Sequence, residues 1–232
     1  MVRITLVAPA VNAALRQVRF DDAAPDAAGL RRAAAAATAL PHHDMAFTAP
    51  SERCRGTATA LGLDAAVAPE LGDLDVGRWR GRSLDEVGQE APEEVAAWLS
   101  DPAAAPHGGE TLLELVERIG AWLETRREDP AQPAPARATR RESPAPAAPP
   151  TSAGEIRREG PPPAAPPAPA RAARLLAVVE PAVVRAALVH ALGLPAPTFW
   201  RLDVAPLTAT ELSGRAGRWN LRCGHPLAGS AP

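Results

Sequence analysis

Short uninterrupted apolar runs alternate along this chain with stretches whose apolar positions recur every three to four residues. The first run, Arg3–Val7, predicts a strand, and the Ala-rich spacing over Asp26–Leu40 predicts a helix. "DMAFTAP" predicts a second strand ending at Thr48, and Ser51–Leu61 a second helix. Ser83–Ser100 predicts one or two short helices, interrupted at Pro92. Thr111 opens a further helix, since Glu114 three residues on completes a capping box, and its pattern runs to about Arg127. Later, Leu175–Val179 predicts a buried strand. Pro181 then stands where a first-turn proline belongs, and Gly193 closes the helix. "FWRLDVAPLTATEL" and "GRWNLR" predict terminal strands. Such alternation predicts a layered α/β fold with a mainly parallel sheet, whose ligands bind beyond the carboxyl ends of the strands. Ala8–Ala10, Thr48–Arg53 and Val179–Ala182 therefore fall at one rim.

Composition breaks this pattern once. Residues 129–172 hold nearly half of the chain's 27 prolines and almost no large apolar side chain. A segment of that kind cannot bury enough surface to offset its ordering entropy, so it predicts a disordered, partly polyproline-II insertion. It serves as a spacer or as an arm that recruits a protein partner. The remaining boundaries are 1–128 and 173–222 for the folded domain and 223–232 for a flexible tail. A net charge of −2 over 232 residues gives no reason to expect nucleic-acid binding. Cys54 and Cys223 have no metal-ligand spacing and fit reduced thiols. No signal segment or membrane-length apolar window is present, which predicts a cytoplasmic protein without membrane contact.

Five stretches carry a resemblance. "FTAPSERCRGTATAL", "ELGDLDVGRWRGRSLDEV", "PHGGETLLELVERIGAWL", "LLAVVEPAVVRAALVHALGLP" and "FWRLDVAPLTATEL…GRWNLR" follow one another in the order found in the histidine phosphatase (phosphoglycerate mutase-like) superfamily. The chain resembles that family over about 1–128 and 173–222, which implies a three-layer α/β/α fold. It also implies a pocket in which an Arg-His-Gly turn after strand 1 supplies a nucleophilic histidine. A second histidine and two arginines would hold the phosphate, and an acid would protonate the leaving group. This chemistry needs a neutral imidazole in line with phosphorus and a cationic cradle.

The chain departs from that pattern where the chemistry lies. The turn reads Ala8-Pro9-Ala10, so the nucleophile position is Pro9, which has no side-chain lone pair. Ala8 removes a guanidinium whose charge-assisted bonds are worth roughly 1.5–3 kcal/mol each. The second histidine position is Glu180. A carboxylate there repels a phosphate by about 4 kcal/mol per pair of unit charges at 4 Å and intermediate dielectric. Arg53 matches the phosphate-binding arginine and Asp73 the acid position, with Asp75 close by. Arg53 either holds an anion or pairs with a neighbouring carboxylate. In one specific form of the second alternative, Glu180 forms a salt bridge with Arg53 across the vestigial pocket.

Glu110, at a helix start, is a ligand-binding candidate or a structural charge on the helix dipole. Glu180, Asp73 and Glu110 together offer oxygen ligands, but their spacing calls for no metal, and neither metal nor cofactor is assigned. None of the five histidines falls at a catalytic position; His107 is either a displaced nucleophile or a loop residue. The five tryptophans read as packing anchors, and Cys54 as a buried apolar residue or a helix-start thiol. The expectation is a histidine-phosphatase-fold protein without catalysis, with a binding or regulatory role. The alternative is a hydrolase of small phosphoesters that uses other residues of the same pocket.

Overall fold

The computed structural model describes residues 1–130, 172–215 and 217–226, the last four by backbone alone. The Pro/Ala-rich insertion expected over 129–172 therefore falls almost wholly outside the described residues, as do residues 227–232.

Strands β1 (Val2–Val7), β2 (Met45–Thr48), β3 (Ala65–Val67), β4 (Ala173–Val178), β5 (Thr208–Arg215) and β6 (Arg218–Pro226) form one sheet. Its order is β3-β2-β4-β1-β5-β6. β3, β2, β4 and β1 run parallel, whereas β5 joins β1, and β6 joins β5, antiparallel. Helices α1 (Ala13–Arg16), α2 (Ala27–Ala36), α3 (Glu52–Ala60), α4 (Leu84–Glu90), α5 (Pro92–Ser100), α6 (Leu112–Glu128) and α7 (Pro181–Leu192) flank it. This is the mainly parallel α/β architecture that the alternating pattern predicts.

The reason lies in β4. As an inner strand of a parallel sheet it is covered on both faces, which demands a continuous apolar run instead of alternation. Leu175, Leu176, Ala177 and Val178 supply it, each at most 1% exposed. α6 begins at Thr111 with the expected capping box, Glu114 closing on the Thr111 backbone. α6 and α7 approach closely at Gly120, where an added Cβ would stand 2.3 Å from Nδ1 of His190.

Several elements differ from expectation. The helix over 26–40 ends at Ala36 and tightens into a 3₁₀ turn over Ala37–Ala39. The "FWRLDVAPL" part of the predicted strand is instead a 3₁₀ segment, Ala196–Arg201, and an irregular stretch before β5. β3 went unanticipated, being too short for any periodicity to register. β6 continues to Pro226, past the point where the flexible tail was expected to begin.

Candidate functional site

Residues just beyond the carboxyl ends of β2 and β4 line a cavity of about 640 Å³, among them Pro50, Ser51, Arg53, Glu180 and Pro181. The turn after β1 reaches the same edge of the sheet but does not line the cavity. Ala8 and Ala10 are at most 1% exposed. Ala8 exchanges backbone hydrogen bonds with Leu207 and Thr208, and the Ala10 N–H donates to Oγ1 of Thr57. Pro9 is thus sealed under α3 and the segment leading into β5.

The base of the cavity is built from two helix starts. Ser51 caps α3, its hydroxyl oxygen accepting from the Cys54 N–H. Asp22 accepts from the Glu52 N–H at 2.9 and 3.0 Å, adding a negative charge where the helix dipole favours one. Glu180 stands at the start of α7 but does not cap it. Its carboxylate crosses to α3 instead. Oε2 lies 2.9 Å from Nη2 of Arg53, and both side chains are 8% exposed. The Nη2 hydrogens are not aligned with that oxygen, so this is an ionic contact without a hydrogen bond. Oε1 accepts from the Ser51 hydroxyl at 2.9 Å and lies 3.5 Å from Sγ of Cys54. The salt bridge that the sequence suggested between Arg53 and Glu180 is present.

Asp73 also faces the cavity. Its carboxyl is pushed up to about 7, first by desolvation in the crowded cavity and then by the Glu180 carboxylate. Arg53 and Arg118 oppose that shift. The side chain opens on to the cavity, so water there moderates the desolvation. Cys54 is fully buried, and burial with the adjacent Glu180 drives its thiol well above the usual range. It is therefore a neutral packing group and no nucleophile.

Glu110 lies elsewhere. Arg118 grips it with two hydrogen bonds of 2.8 and 2.7 Å, and also donates to the carbonyls of Glu70 and Gly72. Glu110 does not line the cavity, and among the described residues no trio of carboxylates is placed to hold a metal. Asp75 accepts from the Gly77 N–H and pairs with Arg80, shaping its own loop. His107 is 1% exposed and packs edge-on against Trp79 and Trp98. Burial lowers its pKa, and Nδ1 accepts from the Gly109 N–H. Among the described residues no histidine lines the cavity.

The outer wall comes from residues that sequence reasoning did not single out. Val18, Arg19 and Phe20 lie beside Gly81–Leu84, through bonds from Phe20 N–H to Arg82, Gly81 N–H to Phe20 and Leu84 N–H to Val18. Val18 adopts φ +49°, which is unusual for a β-branched residue. Leu15, Val18 and Phe20 line the cavity, and so does Arg185, on the second turn of α7. No local pattern marks these residues, because non-local packing brings them together.

A six-stranded, mostly parallel sheet with its cavity beyond β2 and β4 defines a class of protein that the comparisons confirm. A sequence model of the histidine phosphatase superfamily (branch 1) matches residues 10–134, and the chain belongs to that family. Among its relatives, the bifunctional protein Rv2228c of Mycobacterium tuberculosis is 33% identical over 76 residues, 31% of this chain and 21% of that protein. The glucosyl-3-phosphoglycerate phosphatase of Mycolicibacterium vanbaalenii is 32% identical over 96 residues, 39% of this chain and 43% of the relative. The matches thus span less than half of these relatives' lengths. Mycobacterial glucosyl-3-phosphoglycerate phosphatase in complex with VO3 superposes with a TM-score of 0.70 at 20% identity, covering 96% of this chain and 98% of the other. A mutant phosphoserine phosphatase from Entamoeba histolytica bound to phosphoserine gives 0.73 at 11% identity, covering 100% of both chains. At these identities the likeness speaks for the fold.

Proposed function

We propose that this protein is a member of the histidine phosphatase superfamily that does not transfer phosphoryl groups and uses its cavity to bind a ligand. One observation carries the reading: Glu180 sits on Arg53, so the guanidinium matched to phosphate binding has its charge answered from within the chain. A phosphate entering there would displace a buried ion pair and meet the Glu180 carboxylate. The buried Pro9 turn, and a cavity lined by no histidine among the described residues, support the same reading. Among the described residues no helix is long and apolar enough to cross a membrane; the cytoplasmic placement rests on the sequence, whose two cysteines fit reduced thiols.

A second reading starts from the Ser51 hydroxyl, which donates to Glu180 in the manner of a nucleophile and its base. Two features count against it. The Glu180 carboxylate is engaged by Arg53 in an ion pair, and the Ser51 hydroxyl oxygen is committed to capping α3.

The test is hydrolysis of 4-nitrophenyl phosphate between pH 4 and 9. The expected result is no turnover above a protein-free control. Turnover that disappears in Ser51→Ala or Arg53→Ala protein overturns the reading in favour of a hydrolase.

A further inference from the structure

Among the described residues four arginines line the cavity: Arg19, Arg53, Arg80 and Arg185. Three already have a carboxylate within ion-pair distance. Arg19 lies 3.4 Å from Glu86, Arg53 2.9 Å from Glu180 and Arg80 3.4 Å from Asp75. Among the described residues Arg185 has none.

Its side chain is nevertheless held in place. Nε donates to the Leu202 carbonyl at 2.7 Å, and the guanidinium carbon stands 5.6 Å from the centre of the Phe199 ring. Burial lowers the guanidinium's pKa, and the charges of Asp203 and Asp73 oppose that shift. Nε is committed to the backbone; among the described residues neither Nη1 nor Nη2 makes a hydrogen bond, and on this half-buried side chain both remain open to solvent in the cavity. They form a preoriented fork without an acceptor, matched to two oxygens in one plane.

We propose that the cavity is a carboxylate site. Nη1 and Nη2 of Arg185 clasp the carboxylate of a monoanionic small molecule, and Leu15, Val18 and Phe20 cover its hydrocarbon part. This assignment rests on the non-catalytic reading of the same cavity. Anion recognition has moved from Arg53 to Arg185.

The charge of the ligand follows from its neighbours. Glu180, Asp73, Asp21 and Asp22 line the same space, so a second negative charge on the ligand meets repulsion that a single charge on Arg185 does not offset. The body of the ligand follows from the wall. Leu15 and Val18 are 41% and 61% exposed, and with Phe20 they line a cavity sized for a small organic molecule. Phe20 packs against Trp79 and Trp98 at 5.8 and 5.9 Å, which keeps the aromatic part of that wall fixed.

The experiment is calorimetric titration of the full chain at pH 8, where inorganic phosphate is mostly the dianion, with benzoate, hexanoate, acetate and inorganic phosphate. Expected are saturable binding of benzoate or hexanoate, weaker binding of acetate, and binding of phosphate weaker still. Arg185→Gln should weaken the carboxylate at least about tenfold. Because Arg185→Gln also removes the bond to Leu202, Leu15→Glu serves as a second variant. It changes an exposed position and places a negative charge on the cavity lining, and the same loss is expected while the thermal melt stays unchanged.

Three results overturn the assignment: no carboxylate binding up to tens of millimolar, phosphate binding tighter than benzoate, or carboxylate binding indifferent to both variants. Phosphatase turnover overturns the non-catalytic reading instead. Absence of both turnover and carboxylate binding removes the carboxylate site and leaves that reading standing.

Discussion

Glu180 meets Arg53 at 2.9 Å although the two residues belong to different helices and to opposite sides of the insertion. Both are 8% exposed, so each charge depends on the other for its compensation in a poorly solvated place. Removing only one leaves the other uncompensated. Arg53→Ala should lower stability by about 3–5 kcal/mol in chemical denaturation, and Arg53→Met combined with Glu180→Leu should recover most of that loss. Unchanged stability in Arg53→Ala would mean that the pair does not form in solution.

Desolvation and the neighbouring Glu180 carboxylate push the Asp73 carboxyl up to about 7, against 3.8 for an ordinary aspartate. Between those values the folded state keeps a proton that the unfolded state has released. The contribution of this residue to stability is therefore fully present below about pH 4 and declines as pH rises to 7. Asp73→Asn should gain stability relative to the unaltered protein across that window, with no further change above it. Paired thermal melts at pH 4, 6 and 8 check the sign. A difference that is flat with pH would show that the carboxyl is not raised.

Arg118 ties Glu110 to the backbone carbonyls of Glu70 and Gly72. Charge-assisted bonds of this kind contribute about 1.5–3 kcal/mol each, and solvent at this partly exposed site reduces their sum. Arg118→Met should destabilise the protein by about 2 kcal/mol and quicken amide exchange over 70–76 more than over α6. Uniform exchange in both regions would contradict a local anchoring role.

Gly109 stands where a Cβ would lie 2.0 Å from the Asp75 carbonyl oxygen and 2.7 Å from the Gly77 nitrogen. Both obstacles are backbone and cannot rotate away. Gly109→Ala should therefore cost about 1–3 kcal/mol through displacement of the 75–77 loop. A fall in the thermal midpoint, with a changed fluorescence of nearby Trp79, is the expected readout.

Taken by itself, the sequence determined the sheet-forming runs, the capped start of α6, the proline-led start of α7 and the family. Each depends on contacts within a few residues, or on the burial that a continuous apolar run such as β4 imposes. It suggested that Pro9 and Glu180 stand where the family's histidines would be, and it suggested the partner of Glu180. Short elements such as β3 escaped it, since three residues cannot display a period and only pairing with β2 makes them a strand. Arg185 escaped it for a different reason. Its meaning lies in which arginines find carboxylates, and that depends on where Glu86, Glu180 and Asp75 come to rest once the chain has closed on itself. Glu110 could equally have faced the cavity until folding set Arg118 beside it. The linear order fixes which charges exist, and the tertiary structure decided which of them remain unanswered.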